Sequence, residues 1–138
     1  MKHRHIKRGH YNNFYDNNHK IGERTRVGSF CDIGGIIGKD CKIQSFCFIP
    51  PGVTIEDNVF IGPGVIFTNN KYPKVNFPDF IPEPTIIKNG AAIGAGCVIL
   101  SGIVIGENSL IGAGSVVTEN VPPGEVWYGH PAKFQRKL

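Results

Sequence analysis

The chain has 138 residues, enough for one small domain and too short for two hydrophobic cores of ordinary size. Charged residues make up 19% and hydrophobic residues 41%, and no apolar run approaches the roughly 20 residues that a membrane-spanning helix needs. Eighteen Gly and ten Pro against a single Met exclude the Ala/Leu/Glu/Lys usage of a helical bundle, so helix should be scarce.

The net charge of +4 is unevenly spread. Residues 1–26 carry seven Lys/Arg, two acids and four of the five His; residues 133–138 add three cations; the stretch between has five Lys and nine acids. A slightly acidic body with basic ends is a poor match to nucleic-acid binders, which set cations and aromatics on one folded face. The start, MKHRHIKRGHYNNFYDNN, is basic and then polar and lacks the apolar middle of a secretory signal, which points to a cytoplasmic chain. Residues 1–19 are expected to form a solvated basic arm.

From Ile21 onward an aliphatic residue returns every six positions. The run goes through Ile21, Val27 and Ile33, takes a four-residue step to Ile37, continues in sixes to Phe67, and resumes from Ile87 to Val117. The residue after it is often Gly, and the residue four further on is small or β-branched. A period of six is neither 3.6 nor 2; it fits short parallel strands joined by turns, with the aliphatic in the corner of a coil and the small residue on the adjacent wall. Fifteen such hexads at three per coil predict an all-β parallel solenoid of about five coils over residues 20–122, with a C-terminal cap at 123–138.

Cys31, Cys41, Cys47 and Cys97 all fall in the small inward slot, the slot of Thr25, Val53, Val59, Val65 and Ala91. They read as small buried hydrophobes rather than a disulfide, metal or nucleophile set. The hexad region has no His from Ile21 to Val121, so neither a three-His metal site nor a His general base can be built from its coils. Residues 68–86, which begin TNNKYPKVNFPDFIPEP, break the period and predict an extruded loop. Loops of that length in compact domains are usually functional, and its Pro and aromatic content argues against disorder.

With repeats of the form I-G-x-x-(small)-x, and with the ending IGENSLIGAGSVVTENVPPGEVWYGHPAKF, the sequence resembles the hexapeptide-repeat acyltransferases. The stretch FIPPGVTIEDNVFIGPGVIFTNNKYPKVNFPDF followed by PTIIKNGAAIGAG is similar to their nucleotide-linked amino-sugar N-acetyltransferases, over about residues 20–135. The resemblance implies a left-handed parallel β-helix of triangular section, a homotrimer with active sites between subunits, and acetyl-CoA as cosubstrate, with no metal. It implies acetyl transfer to the amine of a dTDP- or UDP-linked amino sugar. The extruded loop of that family opens F-T-N-D-K-Y-P; Phe67, Thr68, Asn69, Lys71, Tyr72 and Pro73 match it, and Asn70 stands where Asp is usual. Asn70 can hydrogen-bond but cannot carry the charge of an Asp.

The resemblance makes Asn69 and Asn70 the catalytic candidates. Lys71, Tyr72, Arg24 and Arg26 are candidates for the sugar nucleotide, and the IGAG turns at Gly94, Ala95, Gly96, Gly112, Ala113 and Gly114 for the pantetheine. Lys133 and Arg136 are placed to meet a CoA phosphate. The chemistry agrees: a neutral amine is a better nucleophile than a hydroxyl and can dispense with a His base. Two other readings stay open from sequence. One is an O-acetyltransferase using His130, which replaces the usual Asn of the ending, or an arm His as base; the other is a non-catalytic β-helix scaffold.

Overall fold

The computed structural model describes residues 7–15 and 20–138. Residues 1–6 and 16–19, with His3, His5 and His19 of the basic arm, lie outside the described residues. Eighteen short strands follow one another, with no helix among the described residues. They begin β1 (Lys7–Arg8), β2 (Asn13–Phe14), β3 (Arg26–Val27), β4 (Asp32–Ile33), β5 (Ile36–Ile37) and β6 (Lys42–Ile43). Next come β7 (Phe48–Ile49), β8 (Val53–Ile55), β9 (Phe60–Ile61), β10 (Ile66–Phe67), β11 (Thr85–Ile87) and β12 (Ala92–Ile93). The last are β13 (Val98–Ile99), β14 (Val104–Ile105), β15 (Leu110–Ile111), β16 (Val116–Val117), β17 (Glu125–Gly129) and β18 (Ala132–Lys137).

Each strand pairs in parallel with the strand one coil away, except that β17 and β18 form an antiparallel hairpin. Three sheets result: face A in the order β1-β3-β6-β9-β12-β15-β17-β18, face B in the order β16-β13-β10-β7-β4-β2, and face C in the order β14-β11-β8-β5. Isolated bridges from Ile21 to Ile37 and from Ile105 to Val121 add a rung at each end of face C. The chain is therefore a parallel β-solenoid of about six turns, as the hexad period predicts in kind and nearly in number. The added coil lies in the segment that charge alone marks as an arm: β1 sits on β3 and β2 on β4.

Register explains the period. Corner residues stack in columns, such as Val27, Ile43, Ile61, Ile93 and Ile111 on face A, and the corner aliphatics from Ile21 to Val117 are all buried. The second inward slot is buried as well, and its polar members are satisfied. Thr25 Oγ1 donates to the Gly38 carbonyl at 2.7 Å, Ser115 Oγ to Gly112 at 2.6 Å, and the Cys41 thiol to Glu56 at 3.0 Å. Burial pushes the Cys41 and Cys97 thiols above their ordinary range, and the Cys47 thiol is pushed up by its hydrogen bond with Cys31 and by burial. All four cysteines are free and buried, in the inward role their register assigns.

The four-residue step is a shortcut between β4 and β5 through Gly34 and Gly35, whose N–H groups both donate to the Ile49 carbonyl at 2.7 and 3.1 Å. A Cβ on Gly35 would lie 2.6 Å from the Val53 carbonyl oxygen, so no larger residue fits there. The period resumes at Thr85 rather than after residue 86, because Thr85 already fills the inward slot ahead of Ile87. At the C-terminal end β17 lies on β15, and the hairpin with β18 buries Val126, Trp127 and Ala132 against the last coil, with Lys133, Arg136 and Lys137 along the outer strand.

Because each coil buries its inward residues only against its neighbours, truncation mid-stack opens a cavity that a rigid coil cannot close. Ile93→Ala, at a fully buried corner, is expected to cost about 2–5 kcal/mol of unfolding free energy, read from the denaturant midpoint.

Candidate active site

The extruded loop leaves the solenoid after Phe67, which is fully buried and fixes the point of departure. Its two ends are tied together and to the coil. The Glu83 N–H donates to the Asn69 carbonyl at 3.3 Å, the Asn69 side-chain amide donates to the Pro51 carbonyl at 2.8 Å, and Ser101 Oγ donates to Glu83 Oε2 at 3.1 Å. Asn69 is thus oriented through one N–H. An amide carries two, so the second N–H and the side-chain oxygen remain for a ligand. Asn70 accepts the Tyr72 N–H at 3.0 Å, an Asx turn that shapes the loop, and Lys71 Nζ lies 5.9 Å from the centre of the Tyr72 ring. Beyond Lys71 the loop is exposed as far as Ile81, including Val75.

The other residues singled out from sequence fall elsewhere. Arg24 stands on the edge between faces C and A, held by Asp40 through Nε to Oδ1 at 2.6 Å and Nη2 to Oδ2 at 2.8 Å. The hydrogen bond from Arg24 holds the Asp40 carboxyl below its usual range, and both groups are exposed. Arg24 is therefore committed to its neighbouring coil. Arg26 points out of face A, where with Lys42 it borders a shallow groove of about 230 Å³ that Gly9, Gly28, Gln44 and Ser45 also line. Lys133 pairs with Glu119 at 3.2 Å, and Arg136 Nη1 donates to the Lys137 carbonyl at 3.3 Å.

The glycine turns form the edge between faces A and B. Along it runs one column of positive-φ residues: Tyr11, Phe30, Phe46, Gly64, Gly96 and Gly114, at φ 60, 58, 64, 70, 68 and 71°. Each N–H after the first donates to a carbonyl of the preceding coil. In the C-terminal half, a Cβ built on Gly96 or Gly114 would meet nothing within 4 Å, so the edge presents bare backbone to the outside. Gly94 and Gly112 are there for the opposite reason: a Cβ at Gly94 would fall 2.6 Å from the Ala113 nitrogen. Bare backbone with outward room fits the amide-bearing, extended pantetheine chain that the resemblance assigns to these turns. His130 follows the hairpin strand and binds the Gly114 carbonyl through Nε2, so that nitrogen carries its proton toward the turn.

The candidates are therefore divided among different edges and faces of one chain, with Asn69 to Tyr72 on the B–C side and the glycine turns on the A–B side. Sequence reasoning missed Pro51, Ser101 and Glu83, which anchor Asn69, because they lie one coil or one loop away. It also missed the aromatic half of the A–B edge, for which the repeated tripeptide Ser-Phe-Cys at 29–31 and 45–47 was an available signal.

The sequence profile of the family "bacterial transferase hexapeptide (six repeats)" matches residues 34–69 and 84–119, just over half of the chain. No curated protein matches. Among solved structures, a His-to-Asn mutant of perosamine N-acetyltransferase from Caulobacter crescentus, in complex with CoA and GDP-perosamine, superposes with a TM-score of 0.77 at 18% identity over 95% of this chain and 58% of that one. An Asp-to-Ala mutant of AntD, an N-acyltransferase from Bacillus cereus in complex with dTDP and coenzyme A, gives 0.80 at 21% identity over 95% of this chain and 83% of that one. The acetyltransferase domain of PglB from Neisseria gonorrhoeae, with acetyl coenzyme A, gives 0.79 at 19% identity over 94% and 57%. The chain thus spans 58% of the length of the Caulobacter protein, and at these identities the likeness is one of fold.

The anchoring of the loop is directly testable. Ser101→Ala removes the only side-chain donor to Glu83 among the described residues and should weaken the anchor by about 1 kcal/mol, so that trypsin cuts after Lys71 and Lys74 about fivefold faster.

Proposed function

The chain belongs to the bacterial transferase hexapeptide family, and from that premise we propose that it is an acetyl-CoA-dependent N-acetyltransferase acting on the amino group of a dTDP- or UDP-linked amino-deoxy sugar. The observation that carries the reading is the root of the extruded loop, where Asn69 is held by Pro51 with one amide N–H left over. The solved structures of like fold support it, since those proteins are an N-acetyltransferase, an N-acyltransferase and an acetyltransferase domain, in complexes with CoA, acetyl-CoA, dTDP or GDP-perosamine.

Acetyl-CoA supplies an activated acetyl thioester. The chain's residues do the rest by placement. The bare backbone at Gly96 and Gly114 runs beside the pantetheine, with Gly94, Ala95, Gly112 and Ala113 completing the turns and Lys133 and Arg136 toward the phosphate end. The second N–H of Asn69 donates to the carbonyl oxygen as charge develops on it, an effect worth a large share of catalysis in acyl transfer. Asn70, committed to its turn, shapes the loop and leaves proton removal from the amine to solvent or to the substrate. Lys71 and Tyr72 flank the acceptor. Aligning amine and thioester contributes the larger part of the rate, up to about 7–11 kcal/mol in intramolecular comparisons.

Since Asn69 and the glycine turns lie on different sides of one chain, the site is completed between copies, and the working unit we propose is a cytoplasmic homotrimer. The O-acetyl alternative requires a base, and His130 has its Nε2–H engaged by the Gly114 carbonyl.

Thiol release from acetyl-CoA, measured with nucleotide-linked 3-amino and 4-amino sugars beside their hydroxyl counterparts, tests the reading. Turnover confined to an amino sugar is expected; turnover with hydroxyl acceptors alone overturns it. Asn69→Ala should lower kcat about tenfold or more with the oligomer intact by light scattering, and unchanged turnover removes Asn69 from the mechanism.

A further inference from the structure

The N-terminal half of the A–B edge is built differently from the C-terminal half. Tyr11, Phe30 and Phe46 occupy successive positive-φ turns, where bulky residues are outliers and Gly or Asn is the ordinary choice. Their rings are stacked, with centroids 5.2 Å apart at 16° and then 5.3 Å apart at 2°. They are nonetheless 82, 53 and 61% exposed, so the strain is not repaid by burial in the chain itself. One coil further on the column continues with Gly64, whose Cβ would have no neighbour closer than 4.0 Å. The face of Phe46 toward Gly64 is therefore where a fourth ring would stand, and none of the described residues supplies one.

Beside this ladder lies the groove bordered by Arg26 and Lys42. These two are direct register partners, and Lys7 holds the same register one coil earlier. Like charges opposite each other on adjacent strands, about 4.8 Å apart, repel. No ion pair to Arg26 or Lys42 occurs among the described residues, and the next residues of that column are Phe60, Ala92 and Leu110. An unmatched pair of cations next to an unfinished stack of rings is complementary to one chemistry, a planar base joined to a diphosphate.

We propose that the Phe46 face over Gly64 and the Arg26/Lys42 groove form a nucleoside-diphosphate site, the base completing the aromatic stack and the diphosphate lying against the two cations. This deepens the reading above and rests on it for the source, the nucleotide of the acceptor. CoA carries the same chemistry in its adenosine diphosphate. A single strand of nucleic acid is disfavoured because the column of cations does not continue along the face, where Phe60, Ala92 and Leu110 follow Lys42.

The test is calorimetric titration of the full chain with dTDP, UDP and CoA, for wild type, Phe46→Asn and Lys42→Ala. Asn suits the positive φ of residue 46, so that variant should fold, which its melting temperature and oligomer mass check. The expected result is about a tenfold or greater loss of affinity for dTDP or UDP in both variants, with CoA unchanged. Loss for CoA alone keeps the site and assigns it to the cosubstrate. Wild-type strength in both variants, no nucleotide binding by wild type, or binding of a single-stranded oligonucleotide in place of nucleotides overturns the proposal. Nucleotide binding lost in the variants, combined with no acetyl transfer to any nucleotide-linked amine in wild type, keeps the site and overturns the enzyme reading instead.

Discussion

Everything in this molecule depends on the stacking of corner side chains between coils. A two-residue strand has almost no independent stability, and each coil has an inward face that only its neighbours can cover. Corner residues such as Ile43, Ile61 and Ile93, in register along face A, provide that cover, and the thiols and hydroxyls of the second slot donate to turn carbonyls. The constraint is one-dimensional. It fixes which residues point inward at each coil and leaves the outward positions and the edges free to carry chemistry.

The same constraint made most of the fold readable from sequence. A period of six cannot be mistaken for a helix or a plain strand, so the all-β solenoid, the inward cysteines, the short step at Gly34–Gly35 and the extruded loop follow from spacing. The first coil was not legible. Arg8 and Phe14 stand at its corners in place of Ile or Val, in a segment whose charge dominates its pattern, yet both strands pair with the coil below. Spacing also could not reveal the partners of Asn69. Pro51 reaches it directly and Ser101 through Glu83, because the solenoid puts residues from adjacent coils in contact, and neither belongs to the loop motif. Arg24 illustrates the converse: an arginine that looks available in sequence is taken by Asp40 on the next coil.

On a solenoid, one backbone position recurs at every coil, so a change of side chain along a column is informative. The C–A edge places Arg24, Asp40, Asn58, Gly90, Asn108 and Gly124 at its positive-φ positions, mostly the small or amide residues that such angles favour. The A–B edge departs from this with three aromatics and then reverts to three glycines. The break falls between Phe46 and Gly64, in the coils just ahead of the extruded loop. Local geometry cannot account for it, since the φ values and the inter-coil hydrogen bonds are alike on both sides of the break.

A division of labour along one edge follows. Toward the N-terminus the edge offers ring faces and, beside them, cations, both suited to the planar and charged parts of a ligand. Toward the C-terminus it offers bare backbone, suited to an extended chain of amides that must approach closely. A substrate pair consisting of a nucleotide-linked amine and a pantetheine thioester has this same division of chemistry, and the two reacting ends would meet where the two halves of the edge meet. Asn69 lies at that level of the stack, two residues past β10, but on the opposite side of face B. Within a single chain it cannot reach that meeting point. On the proposed reading a neighbouring copy brings it there, and the reaction is completed between copies.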